Sequence, residues 1–167
     1  MPTMSRIGYG QVEPNHLSAQ RNGQVYAQLP CNKDITLLEN GQFVKYDYVN
    51  GEVNFTGAGE WMLVMNEVKN YGIGETAKDF ALDATKMDMT PRVYATKVGD
   101  IFTTNCLEKA GVKGKETLFS EVGVQDVLKI NSQGFLSDSG TSTEEFTVVK
   151  VYTMPDGQVG FKVVRTK

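Results

Sequence analysis

Phe146-Thr147-Val148-Val149-Lys150-Val151-Tyr152 and Val159-Gly160-Phe161-Lys162-Val163-Val164 flank the segment Met154-Pro155-Asp156-Gly157. Both flanks are rich in β-branched and aromatic residues, which suit a pleated, half-buried backbone. Between them, Pro pre-sets φ for a tight turn and Gly accepts the left-handed conformation that such a turn needs. This predicts a β-hairpin closing the C-terminal third.

Working upstream, Val127-Leu128-Lys129-Ile130, then Asn131-Ser132-Gln133-Gly134, then Phe135-Leu136 read as a second hairpin, with Ser137 to Thr143 a polar loop. Arg92 to Val98 reads as a strand that passes through a Gly99-Asp100 corner into Ile101-Phe102-Thr103-Thr104-Asn105. Glu60-Trp61-Met62-Leu63-Val64-Met65 is a short apolar run between polar and Gly-rich punctuation, so it reads as a buried strand. Gly41 to Tyr48 and Glu52 to Phe55 flank Asn50-Gly51, a strong hairpin signal.

Two regions read differently. Between 70 and 90, Tyr71-Gly72-Ile73-Gly74 breaks the chain, while Ala77, Phe80, Ala81 and Ala84 recur at roughly helical spacing; a helical turn and an excursion loop both fit. Residues 1 to 30 hold Gly8, Gly10, Pro14, Asn15, Asn22, Gly23 and Pro30 among polar residues, with a short strand pattern at Gln24 to Leu29. They predict an extended N-terminal arm that orders on a neighbour, because alone it buries too little apolar surface to offset chain entropy.

Turn signals at regular short intervals, without helix–strand alternation, predict a mainly β fold: an antiparallel β-sandwich or small barrel with the arm at 1–30 and one β-rich domain at 31–167. A chain of 167 residues, 40% of them hydrophobic, is long enough for one sizeable core. The net charge is −3 and the basic residues are scattered, which argues against nucleic acid as a direct partner. Nothing approaches the length of a membrane span, and the first residues lack the apolar run of a signal peptide, so the expectation is a soluble product of a cytoplasm. Cys31 and Cys106 form neither a Cys-x-x-Cys pair nor a disulfide framework, and read as ordinary thiols.

The search for chemistry yields little. The commonest proton-exchanging side chain occurs once, as His16, in the arm and outside any nucleophile motif. One His and two separated Cys are too few for a structural zinc site. Asp79, Asp83 and Asp88 lack the alternate-position acids, central Gly and terminal Glu of a calcium loop. Gly111 to Thr117 resembles a phosphate loop, but Lys109 stands where the first Gly is needed and Glu116 where Ser or Thr is needed. Gly57-Ala58-Gly59 leads into a strand rather than a helix, and so reads as a bend. Tyr46 and Tyr48, with Phe43 and Phe55, read as core and subunit contact. No cofactor and no catalytic residue is expected.

The polar arm ending Gly23-Gln24-Val25-Tyr26-Ala27-Gln28-Leu29, the segment Glu39-Asn40-Gly41-Gln42-Phe43-Val44-Lys45-Tyr46-Asp47, the Gly59 to Glu67 run and Val98 to Asn105 together resemble the small β-rich virion proteins encoded beside major capsid proteins in tailed bacteriophages. The resemblance to head decoration, or cement, proteins implies a non-enzymatic role in the virion. The protein would sit on the outer capsid surface, often as a homotrimer, bridging capsomers of the major capsid protein after synthesis in the host cytoplasm. It places capsid contacts in the arm, around Arg6, Tyr9, His16 and Tyr26. The alternatives are another virion component (minor capsid, head-fibre or tail subunit), a carbohydrate-binding β module using Trp61 and the tyrosines, and a small hydrolase with a site around His16.

Overall fold

The computed structural model describes residues 10–12, 29–66, 82–83, 90–108, 122–155 and 157–167. Eleven strands and no helix occur among them: β1 (Leu37–Leu38), β2 (Phe43–Asp47), β3 (Glu52–Asn54), β4 (Trp61–Val64), β5 (Leu82–Asp83), β6 (Val93–Tyr94), β7 (Ile101–Thr104), β8 (Val127–Ile130), β9 (Leu136–Ser137), β10 (Glu145–Thr153) and β11 (Val159–Arg165). A five-stranded sheet runs β7-β11-β10-β8-β9, a four-stranded sheet runs β3-β2-β4-β6, and β1 pairs with β5 alone. Every strand pair is antiparallel. No described strand joins the two larger sheets, so the body is a sandwich and not a closed barrel.

The hairpin predicted at the C-terminus is β10–β11, and it is the longest ladder. Its turn closes through Met154 N–H to Gln158 O at 2.7 Å and Gly157 N–H to Met154 O at 2.9 Å, with Gly157 at φ +84°. A bulge between Val148 and Lys150 shifts the register midway. The β8–β9 hairpin turns through Asn131, whose Oδ1 accepts the N–H groups of Gln133 (2.9 Å) and Phe135 (3.0 Å). The third predicted hairpin is β2–β3, with Tyr46 opposite Val53.

One core fills the space between the sheets: Phe43, Trp61, Leu63 and Tyr94 from one side meet Phe102, Leu128, Ile130, Phe146, Val148, Phe161 and Val163 from the other. Phe43 and Phe146 meet with their planes tilted 53° at 5.2 Å between centroids, and Phe102 meets Phe146 edge-on at 5.9 Å. A second cluster lies on the opposite face of the four-stranded sheet, where Val44, Tyr46, Val53, Met62, Val64 and Val93 pack with Ile35 and Leu38. Trp61 and Leu63 therefore point into one core while Met62 and Val64 point into the other. That is the physical reason β4 reads as an unbroken apolar run instead of alternating.

The strand expected over 92–98 is confined to Val93–Tyr94. Past Tyr94 the chain leaves β4 for the other sheet, where the Arg165 guanidinium donates to the Thr96 carbonyl and Gly99 N–H donates to Arg165 O at 2.8 Å. The expected Gly-Asp corner then turns it into β7: Asp100 Oδ2 accepts Lys97 N–H at 2.8 Å. The helix-or-loop reading of 70–90 falls outside the described residues except at Leu82–Asp83, which form β5, and at Thr90.

Three of the four outer edges of the two larger sheets carry a short segment that is not itself a strand. Val12 bridges Thr104 on β7, Cys31 bridges Val53 on β3, and Leu107 bridges Leu136 on β9. Covering an edge in this way blocks unwanted strand addition. Gly10–Val12, inside the stretch read as an arm, are thus seated on the domain: Val12 is buried in the inter-sheet core, and Gln11 N–H donates to Asn105 Oδ1 at 2.6 Å.

Candidate functional site

Three kinds of surface could serve a function: a groove beside Trp61, a groove beside Glu39, and the exposed apolar side chains. The first, about 430 Å³, opens where Lys45, Gly59 to Trp61, Ser132 and Thr141 to Glu144 approach one another. Trp61 is only 8% exposed, and the Lys45 ammonium sits over its ring at 4.8 Å, so the indole offers no open face for a sugar to stack on. Ser142 is already engaged: its Oγ accepts Ile130 N–H (3.0 Å) and donates to Glu144 O (2.8 Å).

The second groove, about 540 Å³, has an acidic and apolar lining in which Asp34, Glu39 and Glu108 alternate with Ile35, Leu37, Phe55 and Phe135. Buried polar groups behind it are tied to one another. Cys106 Sγ–H points at Glu39 Oε2 at 3.7 Å, Glu39 N–H donates to Gln42 Oε1 at 3.0 Å, and Gln42 Nε2 donates to Gln133 O at 2.8 Å. Asn131 Nδ2 donates to Glu108 Oε2. These bonds satisfy groups that burial would otherwise penalise, and they bind the sheet ends together.

Neither cysteine is placed to act as a nucleophile. Cys106 is fully buried. Burial, assisted by the charge of Glu52, pushes the Cys31 thiol up to about 12, so it stays protonated and unreactive at neutral pH. Among the described residues no three His, Cys, Asp or Glu side chains converge as a metal site.

The four residues expected to contact a capsid, Arg6, Tyr9, His16 and Tyr26, lie outside the described residues, and so does the hydrolase site imagined around His16. Tyr46 and Tyr48, read as core and subunit contact, differ in burial while their rings stay in contact. Tyr46 is buried in β2, whereas Tyr48 lies beyond the strand end in the turn, 70% exposed, with its ring edge-on to Tyr46 at 5.5 Å. Beside it Val49 is 94% exposed.

A second apolar group that sequence reading passed over lies on the outer face of the five-stranded sheet: Val124 (57% exposed), Val127 (49%) and Val149 (41%). Gln125 N–H donates to Val148 O at 2.7 Å and Val148 N–H to Asp126 O at 2.9 Å, which brings the 123–126 turn beside Val149. A signal was present for both groups. Tyr48-Val49 stands in a turn where polar residues are expected, and Val124, Val127 and Val149 lie apart from the buried parity of their elements.

No protein-family model, curated protein or solved structure matches this chain.

Proposed function

We propose that this protein is a non-enzymatic virion structural protein, a decoration or cement protein that binds the outer surface of a phage head, bridges capsomers of the major capsid protein and acts as a homotrimer. The observation that supports this reading most is the presentation of bare apolar side chains from stiff positions: Tyr48 and Val49 at a turn, and Val124, Val127 and Val149 on a sheet face. Binding surfaces, like catalytic ones, are held on rigid elements, and apolar side chains fixed in the open suit a contact surface. Several polar groups at the grooves are also engaged internally, Ser142 at the first and Gln42 and Glu108 at the second. Weak contacts repeated at lattice spacing add up to firm attachment, which is the physical basis of cementing.

The test is the mass of the purified protein by light scattering, followed by sedimentation with expanded empty capsids of the phage that encodes it. A trimer that co-sediments at fixed stoichiometry is the expected result. His16→Ala and Tyr26→Ala should weaken capsid binding without changing the thermal midpoint. A monomer that stays in the supernatant overturns the reading and directs attention to another virion component.

A further inference from the structure

The turn between β2 and β3 is built more firmly than a solvent-exposed loop requires. Asp47 Oδ1 accepts the N–H groups of Val49 (3.0 Å) and Asn50 (3.1 Å), and Oδ2 accepts Asn50 Nδ2 (2.9 Å) and Asn54 Nδ2 (3.3 Å). Gly51 N–H donates to Asp47 O at 2.9 Å and Gly51 takes φ +67°, which closes the turn. The residues held out by this scaffold are Tyr48 and Val49. Pre-ordering an apolar tip lowers the entropy lost when a partner covers it. Single exposed valines are ordinary, but a fixed Tyr-Val pair at a projecting end is a knob.

The outer face of the five-stranded sheet has the complementary character. Val127 lies opposite Thr147, Thr147 opposite Val164 and Val164 opposite Ile101, forming a largely apolar row across four strands, with Val124 and Val149 beside it. Lys150 and Lys162 pair along one side of the row, the Lys150 ammonium 5.2 Å from the Tyr152 ring, and Lys129 and Lys167 lie along the other beside Glu145. Against them stands Glu145, bridged to Lys129 at 3.3 Å and Lys167 at 3.6 Å. Asp126, at the rim, accepts Gly123 N–H at 2.7 Å. The knob carries the opposite sign in Asp47 and Glu52. Two such faces pressed together would juxtapose lysines, and two knobs would juxtapose carboxylates. Knob to face instead pairs apolar with apolar and negative with positive.

We infer that the Tyr48–Val49 turn of one copy docks on the Val127–Val149 face of a second copy, giving a head-to-tail contact. Such a contact uses two different patches of each chain and generates a closed ring when the rotation permits. The inference rests on the assembly reading above and names the surfaces that would build the oligomer.

The test uses two full-length variants, Val49→Asp and Val149→Asp, both at exposed positions, with folding checked by circular dichroism and thermal midpoint. Each alone should raise the self-dissociation constant by about tenfold or more. Mixing them is decisive. The first variant keeps an intact face and the second an intact knob, so the mixture should yield a one-to-one dimer that grows no further. Tyr48→Ser provides a second knob variant with the same expectation. A wild-type chain that is monomeric up to its solubility limit, an oligomer untouched by either variant, or a mixture without dimer each overturns the contact. Capsid sedimentation of the same samples separates the two readings: a mixed dimer without capsid binding retains this contact and removes the decoration role, while capsid binding lost only in Val49→Asp monomers assigns the knob to the capsid and overturns the self-contact.

Discussion

Gly134 and Phe43 join the two sheets through their backbones. Phe43 N–H donates to Gly134 O at 2.7 Å, and a Cβ on Gly134 would fall 2.0 Å from the Phe43 carbonyl oxygen. Gly134 also holds φ +81°, a region that side chains disfavour. Gly134→Ala therefore meets backbone strain and a backbone collision together, and should cost about 2–4 kcal/mol in urea unfolding. A loss below about 0.5 kcal/mol, the size typical of surface changes, would mean that the sheets do not approach here as described.

The aromatic contact of Phe43, Phe102 and Phe146 lies at the centre of the inter-sheet core. Phe146→Ala should destabilise by about 3–5 kcal/mol, since the surrounding strands cannot close over the vacated ring. Val49→Ser, at a position 94% exposed, should stay within about 0.5 kcal/mol in the same assay. The contrast separates core from contact surface.

Asp47 has a carboxyl held below its usual value near 3.8, chiefly by the side chain and backbone N–H groups of Asn50. Because the folded-state value is depressed, its stabilising effect is complete above the unfolded value and fades as pH falls through the folded one. The expected window is thus below about pH 4, as the carboxylate fills with protons. A carboxyl titration followed by NMR should place Asp47 below the ordinary aspartate value, and Asp47→Asn should flatten the acid limb of the stability curve. An ordinary titration midpoint for Asp47 would remove the stiff-turn argument.

Neither thiol should react in the folded protein. Cys106 is buried without exposure and Cys31 is raised to about 12, so a disulfide-exchange reagent at pH 8, a value of roughly ordinary thiol reactivity, should label both only after unfolding. Rapid labelling of Cys31 in the native state would contradict its burial.

Local chemistry made much of the fold legible. Pro155 and Gly157, Asn131 and Gly134, and Asn50 and Gly51 each mark a turn by their own backbone preferences, and the β-branched segments between them specify strands, so three hairpins could be placed from the chain alone. The internal bonding behind the grooves was less legible, because it depends on which buried polar groups meet.

What the sequence by itself determined is therefore the set of hairpins, the mainly β class and the scarcity of proton-transfer side chains, since these follow from neighbours along the chain and from composition. The tertiary structure decided the rest. Only packing reveals that the four-stranded sheet is buried on both faces, that Val12 reaches back to Thr104 on β7, and that Tyr48 and Val49 stand in solvent while Tyr46, two residues away, is buried. A period of two tells which residues share a face; it does not tell which face meets water, because that depends on partners distant in sequence.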